Sequence, residues 1–200
     1  MRFTESRWLE GNWERARVEG IAMMTYNPSI GRALAGGSVR KFKEIARRAV
    51  QVLSQIKDRE AFDRYHHRLV LRTISEIKRT SRGKRVSYGQ AQKAINVFLK
   101  VYVDWAKLPN QRSADLLSPF LHVPLDSVVM GRVRREHREK YYEIVAPHYR
   151  EEDEWPSDLR LSIITYKMYR GWQKLFRKIR PHRPIDLDVI WSLAPRPGDE

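Results

Sequence analysis

The sequence predicts an all-α protein, and two observations support this. Apolar residues recur mostly at the spacing of amphipathic helices, and long alternating patterns typical of β-strands are missing. Proline, glycine and small polar residues mark the ends of these periodic stretches. We therefore expect a compact multi-helix domain.

In the first half of the chain we expect helices at residues 4–25, 38–56 and 58–79. Thr4 and Ser38 are suitable N-caps for the first and second of these helices, because their hydroxyl groups can accept hydrogen bonds from free backbone N–H groups. A basic turn at residues 81–85 follows the third helix.

A central helix is predicted at residues 88–107, where apolar side chains form a wide stripe. It ends at Leu108-Pro109-Asn110, because proline does not continue a helix. Residues 110–123 are predicted to be a loop with at most one helical turn. Further helices are expected from Pro124 into the basic run ending at Lys140, at residues 159–179 with Asp158 as cap, and at residues 188–193.

Length and composition limit the class of protein. The chain has 200 residues, of which 42% are hydrophobic and 10% aromatic, which suits a single folded domain. It has no cysteine, so disulfides, thiol catalysis and cysteine-ligated zinc or iron–sulfur clusters are excluded. No apolar run reaches the length of a membrane span, and residues 1–5 do not resemble a signal peptide. We expect a cytoplasmic, nucleoid-associated protein.

The chain is strongly and unevenly basic. Its formal net charge is +15, and residues 51–100 hold 12 basic and four acidic residues, whereas residues 151–200 hold nine of each. A polarised positive charge favours a polyanionic partner such as nucleic acid. The alternative is a generally basic surface, as in thermophilic or ribosome-associated proteins.

Lys93 and Asp126 are the candidate catalytic residues. Each lies near a predicted helix start, and 33 positions separate them. A buried amine and a buried carboxylate that face one pocket are the groups needed to cleave a glycosidic bond through a Schiff base. The structural alternatives are that Lys93 belongs to a solvated basic helix face and that Asp126 is an N-cap. Since a capping carboxylate is also rigidly aimed, both interpretations of Asp126 can hold together.

Other chemistries have weaker support in the sequence. The six histidines lack partners at metal-ligand spacing, and no Gly-x-Ser-x-Gly, P-loop or dinucleotide-binding glycine pattern is present. We expect no metal and no cofactor. Near the C-terminus, Asp188 and Trp191 form an acidic and aromatic pair that suits recognition of an extruded base, or else capping and core packing.

The order and spacing of these motifs resemble the archaeal 8-oxoguanine DNA glycosylases known as AGOG, a branch of the helix–hairpin–helix (HhH-GPD) glycosylase superfamily. That branch has a Gln-Lys pair opening a helix, a second lysine seven residues later, an apolar-Pro-apolar-Asp motif, and a C-terminal Leu-Asp before a tryptophan. The matching residues are Gln92-Lys93, Lys100, Val123-Pro124-Leu125-Asp126, Gln173-Lys174, Pro184, Leu187-Asp188 and Trp191. The likeness covers residues 86–194, about half of the chain.

The resemblance implies one DNA-glycosylase-like domain over residues 1–200, with N-terminal helices at 1–85, a catalytic core at 86–194 and a tail at 195–200. It implies Lys93 as the Schiff-base nucleophile and Asp126 as the catalytic carboxylate. The extruded base would contact Asp188, Trp191 and His122. The excised base would be similar to 8-oxoguanine or be a modified base of the kind found in phage DNA.

We expect double-stranded DNA with a damaged or modified base as the partner of a monomeric enzyme. Basic side chains would hold phosphates, and an aromatic such as Trp191 or Trp105 would stack on the base. The expected DNA-binding residues are Tyr88, Gly89, Gln92, Lys100, Arg132 and Arg134. The segment at residues 62–67 is expected to pack beside the site as a helix with one buried histidine. The alternatives are a non-catalytic DNA- or RNA-binding helical protein and a structural partner in a larger complex.

Overall fold

A computed structural model describes residues 3–26, 30–31, 34–35, 37–149 and 159–189, with side chains from residue 12 onward. Its α-helices are α1 (Phe3–Tyr26), α2 (Ser38–Val50), α3 (Arg59–Glu76), α4 (Tyr88–Leu99), α5 (Gln111–Leu117), α6 (Ser127–Glu136), α7 (Arg138–Ile144) and α8 (Tyr166–Ile179). Short 3₁₀ turns lie at Leu53–Gln55, Ser118–Phe120, Ala146–His148 and Pro184–Asp188, and a π-helical segment at Lys100–Trp105.

The predicted all-α class is confirmed. Extended pairing in the described ranges is limited to isolated bridges, Leu34 with Thr80 and Arg79 with Arg85. None of the described helices combines the length and the apolar character that crossing a membrane would require.

Helix α4 is the centre of the fold. Ser87 caps it through a capping box, in which the Gln90 N–H donates to Ser87 Oγ and the Ser87 N–H donates to Gln90 Oε1. Its apolar side, which includes Ala94 and Phe98, is fully buried. α4 contacts α1, α3 and α8, so the side chains on its remaining face are held in a fixed frame.

The predicted helix at residues 38–56 is wrong in its last turn. α2 ends at Val50, and Leu53–Gln55 forms a 3₁₀ turn. Leu53 and Ile56 are both buried, and their spacing of three matches the repeat of a 3₁₀ turn. At the other end Ser38 lies inside α2, and its hydroxyl donates to Ala35 O, while Gly37 occupies the cap position with φ of 77°.

The predicted helix at residues 159–179 begins only at Tyr166, after the N-cap Thr165. The segment before it serves α4 instead, because Leu161 O accepts from Ser87 Oγ at 2.7 Å and Ile164 O accepts from the Gly89 N–H at 3.2 Å. The helix starts only where the Thr165 hydroxyl can cap it, accepting the Met168 N–H at 3.3 Å. Asp158 lies outside the described residues.

Two other predicted helices differ from the structure. The run from Pro124 to Lys140 is split, since α6 begins at Ser127 and ends at Glu136, and α7 begins after His137. At residues 188–193 the described part shows the end of a 3₁₀ turn at Asp188, and the remainder, from residue 190, lies outside the described residues.

Candidate active site

The fold brings Lys93 and Asp126 together. Lys93 lies in the second turn of α4, and Asp126 is the N-cap of α6. Lys93 Nζ lies 3.6 Å from Asp126 Oδ2, and the two side chains are 17% and 10% exposed. The other carboxylate oxygen, Oδ1, accepts the Val129 N–H at 2.8 Å. One oxygen of Asp126 is therefore held by its helix while the other faces the amine.

A second pair lies beside the first. Lys100 follows Lys93 by seven positions, about two helical turns, and so lies on the same side of the helix. Lys100 Nζ is 2.6 Å from Asp188 Oδ2, and each side chain is 14% exposed. Burial raises the pKa of Asp188 and the charge of Asp126 adds to this rise, while Lys100 and Lys93 oppose it. These four residues form one interacting unit, which we call the charge cluster.

The two ion pairs of the charge cluster differ in tightness. Lys100 is bound to Asp188 at hydrogen-bond distance, whereas Lys93 and Asp126 are 3.6 Å apart. A nucleophile must be able to leave its partner and approach a substrate atom, so Lys93 is the better candidate nucleophile. Asp126 Oδ2 is near enough to accept its proton and to stabilise positive charge that develops on a substrate.

Buried amides hold the extended segment that carries Asp126. Gln92 Oε1 accepts the Leu125 N–H at 3.3 Å, and Gln92 Nε2 donates to Leu125 O at 3.4 Å. Gln173 repeats the pattern with Val123 at 3.0 and 2.9 Å. Asn96 also donates to Val123 O, at 3.1 Å. The side-chain amides thus supply the backbone hydrogen bonds that a neighbouring strand would supply in a sheet. They fix the position of Asp126 relative to α4.

Three of the predicted DNA-binding residues, Tyr88, Gly89 and Gln92, lie inside the protein, and their surroundings do not favour contact between DNA and the side chains of Tyr88 and Gln92. Gln92 is 0% exposed and is engaged with Leu125. A Cβ at Gly89 would lie 2.3 Å from Leu161 O, so Gly89 permits the close approach of α4 to that loop. Tyr88 is buried, with its hydroxyl 3.2 Å from His67 Nδ1.

His122, predicted to bind the base, lies in a separate buried polar network. Its Nδ1 is 2.7 Å from the Tyr169 hydroxyl, and its Nε2 is 2.7 Å from Asp63 Oδ1. Arg177 forms a two-bond pair with the same Asp63 carboxylate at 2.9 and 2.6 Å. Because its ring nitrogens are taken by these partners, His122 has no free hydrogen-bonding group for a base, and we correct this assignment.

The expectation of one buried histidine at residues 62–67 is confirmed. His66 is buried on α3, with Nε2 hydrogen-bonded to Asn96 Oδ1, and its Nδ1 has no partner in the described part of the chain. Burial lowers the pKa of His66 well below its usual range, and His122 lowers it further. Since Asn96 also donates to Tyr169 Oη, it joins this network to the amides that hold Asp126.

The remaining predicted site residues fall in different places. Arg132 and Arg134 lie on α6, half-buried, with Arg132 paired to Glu136 at 2.7 Å. Lys100 belongs to the charge cluster and not to an open surface. Trp191 lies outside the described residues. Across the described ranges, no group of three or more His, Asp or Glu side chains is arranged to hold a metal ion.

Sequence reasoning did not identify Asp63, Tyr169 or Arg177. Asp63 and Arg177 are 114 positions apart, and nothing in the local pattern of either residue indicates the other. The paired histidines of residues 62–67 were the only available signal for this network.

Comparisons with known proteins give no relative for this site. The chain matches no family model, no curated protein and no solved structure.

Proposed function

We propose that this chain is a DNA glycosylase with abasic-site lyase activity, which excises a damaged or modified base. The observation that carries the proposal is the approach of Lys93 Nζ to Asp126 Oδ2, at 3.6 Å between two largely buried side chains. The same proposal includes cleavage of a strand of double-stranded DNA. It also includes a cytoplasmic, nucleoid-associated location and action as a monomer.

The proposed reaction uses both members of that pair. Lys93 transfers a proton to Asp126 Oδ2, and the neutral amine attacks C1′ of the deoxyribose as the bond from C1′ to the base breaks. The base departs with the bonding electrons and takes the proton from Asp126. The second amine proton passes to the ring oxygen O4′ as the C1′–O4′ bond breaks, which opens the sugar ring and leaves an iminium ion between C1′ and Lys93 Nζ. Asp126, again a carboxylate, takes a proton from C2′, a double bond forms between C2′ and C3′, and the C3′–O bond breaks to release the 3′-phosphate. Water then hydrolyses the Schiff base and frees Lys93.

The charge distribution near α4 supports DNA as the substrate. The loop that leads into the helix contains five exposed basic residues and no acidic residue between positions 77 and 86: Lys78, Arg79, Arg82, Lys84 and Arg85. Exposed lysines and arginines contribute most of the affinity of proteins for the phosphate backbone. Because this loop directly precedes Ser87 and α4, DNA held there would lie close to Lys93.

The test is borohydride trapping, which reduces a Schiff base to a stable covalent adduct. Duplexes would contain an abasic site, 8-oxoguanine, uracil, hypoxanthine or a hydroxymethylated base. We expect an adduct with the wild-type protein, none with Lys93→Gln, and unchanged DNA binding by that variant. Lys167→Gln, an exposed lysine on α8, is the matched control and should form the adduct normally. Trapping by Lys93→Gln at the wild-type rate would refute the mechanism.

A second candidate is a non-catalytic nucleic-acid-binding protein. It is favoured by the hydrogen bond from the Val129 N–H to Asp126, because a cap and its ion-pair partner are sufficient structural reasons for both residues. This candidate predicts binding that weakens steeply with salt, with no adduct and no base release on any duplex.

A further inference from the structure

The π-helical segment Lys100–Trp105 brings an exposed tryptophan over the charge cluster. In this segment backbone hydrogen bonds join residues five apart, and the bond from the Ala106 N–H to Val101 O measures 2.9 Å. Residues five apart do not share a face in an α-helix, whereas the wider turn places them one above the other. Lys100 Nζ accordingly lies 4.8 Å from the centroid of the Trp105 ring.

Trp105 is exposed to solvent, although the Lys100 side chain next to its ring is largely buried. The residue is 65% exposed, whereas the Lys100 side chain is 14% exposed and is bound to Asp188. A large aromatic side chain usually contributes to stability by burying most of its surface. The indole therefore offers an exposed aromatic surface beside Lys100 of the charge cluster.

The backbone under Trp105 is firmly held. The preceding residue, Asp104, is buried and accepts two hydrogen bonds from Arg183, at 2.8 and 2.9 Å. It also accepts the Ser118 hydroxyl at 3.2 Å, and Lys107 Nζ lies 3.7 Å away. The ring is thus presented from a rigid support, which reduces the entropy lost when a ligand stacks on it.

The charges around this support are those of a nucleotide-binding surface. Lys107 and Arg183 are each about two-fifths exposed, so both retain surface on which a phosphate can bind. Aromatic rings combined with neighbouring cations are the usual means of binding unpaired bases, because every base has a face that can stack. A protein-docking site would instead require a continuous apolar patch, and the neighbours of Trp105 on this support are ionic.

We propose that Trp105 is a stacking platform for an unpaired nucleobase of bound DNA, next to the charge cluster. The identification of the ligand as DNA rests on the proposed function. The stacked base is one that has lost its partner, since only such a base exposes its face to a side chain.

The experiment uses a duplex in which 2-aminopurine lies opposite a tetrahydrofuran abasic analogue, which cannot form a Schiff base. Stacking quenches 2-aminopurine fluorescence, so the wild-type complex should be dark. Trp105→Ala should bind this duplex about tenfold more weakly. The complex of Trp105→Ala with this duplex, measured at saturating protein, should show unquenched 2-aminopurine fluorescence. Trp105→Phe should retain part of the quenching. Trp13→Ala is the matched control, because Trp13 is 68% exposed on α1, and it should behave as wild type.

The outcomes separate this inference from the proposed function. Unchanged quenching and affinity in Trp105→Ala would refute the stacking platform, even if the wild-type protein forms the borohydride adduct. Loss of quenching in that variant without any adduct on an ordinary abasic duplex would support the platform and refute the glycosylase. Failure of the wild-type protein to bind the 2-aminopurine duplex would refute both.

Discussion

At the scale of single residues, Asp126 has two separable tasks. Its Oδ1 caps α6 through the Val129 N–H, and its Oδ2 faces Lys93 Nζ. Substitutions at this one position can remove the charge with or without the cap, because asparagine caps helices about as well as aspartate and alanine does not.

We predict that Asp126→Asn and Asp126→Ala both abolish base release, since both lack the carboxylate. Both also leave Lys93 without its ion-pair partner, so that contribution to the free energy of unfolding cancels when they are compared. Asp126→Ala should be less stable than Asp126→Asn by about 1 kcal/mol, the usual value of an N-cap. Urea unfolding measures the difference, and single-turnover base release measures the chemistry. Full activity in Asp126→Asn would leave Asp126 as a cap only.

The residues of the charge cluster were accessible from the sequence because local patterns mark them. Lys93 and Lys100 share a helix face through a spacing of seven, and Asp126 follows proline before an apolar run, as caps do. The network of Asp63, His122 and Arg177 was not accessible in this way. Its members come from three elements, and only the tertiary fold decides which buried polar groups meet.

At the scale of elements, the decisive feature is the extended segment before α6, which buried amides clamp to α4 and α8. Sequence periodicity found both helices and missed this segment, because its hydrogen bonds come from Gln92, Asn96 and Gln173 and not from a regular ladder. The overextended prediction for α8 has a related cause. Leu161 and Ile164 turn their carbonyls to the start of α4, which apolar spacing does not reveal.

We predict that Gln92→Met slows base release more than its effect on stability explains. Methionine fills a similar volume but leaves Leu125 N–H and C=O without partners, at about 1–3 kcal/mol for each unsatisfied buried group. Leu125 immediately precedes Asp126, so the carboxylate should lose its alignment with Lys93.

Gln173→Met is the matched control for this prediction. It leaves the Val123 N–H without a partner, whereas Val123 O keeps the hydrogen bond from Asn96. Val123 lies three residues from Asp126, so this variant should lose stability with a smaller loss of rate. The measurements are urea unfolding and the single-turnover rate with saturating protein. Equal rate losses in the two variants would show that Gln92 acts through stability alone.

At the scale of the whole molecule, the charges are divided between surface and interior. The net charge of +15 includes the basic loop before α4, while the interior holds charges that compensate one another, in the charge cluster and in the network around His122. Exposed cations attract a polyanion without affecting the fold strongly. Buried titratable groups, in contrast, link stability to pH.

We predict that the protein loses stability as the pH falls below about 6.5, the ordinary histidine value. Burial lowers the pKa of His66 and of His122, the hydrogen bond of His122 to Asp63 opposing the effect only in part. Arg177 and Arg59 also disfavour a charged His122. Below this pH the two imidazoles bind protons in the unfolded chain but stay neutral in the folded protein. The free energy of unfolding therefore decreases by up to about 1.4 kcal/mol per pH unit for each proton.

Asp63 adds a second loss of stability as the pH falls. Burial alone would raise the pKa of this carboxyl, but hydrogen bonds from His122 and Arg177 outweigh burial and hold the pKa well below its usual range. Its contribution to stability is therefore complete at neutral pH and is lost as the pH falls below about 4.

Urea unfolding between pH 8 and pH 5 isolates the loss of stability that comes from the buried histidines. His66→Gln should flatten the curve there, and His182→Gln, at an exposed position, should leave the slope unchanged. A wild-type slope in His66→Gln would mean that the buried pair does not govern the pH dependence, and that the acid sensitivity lies elsewhere in the molecule.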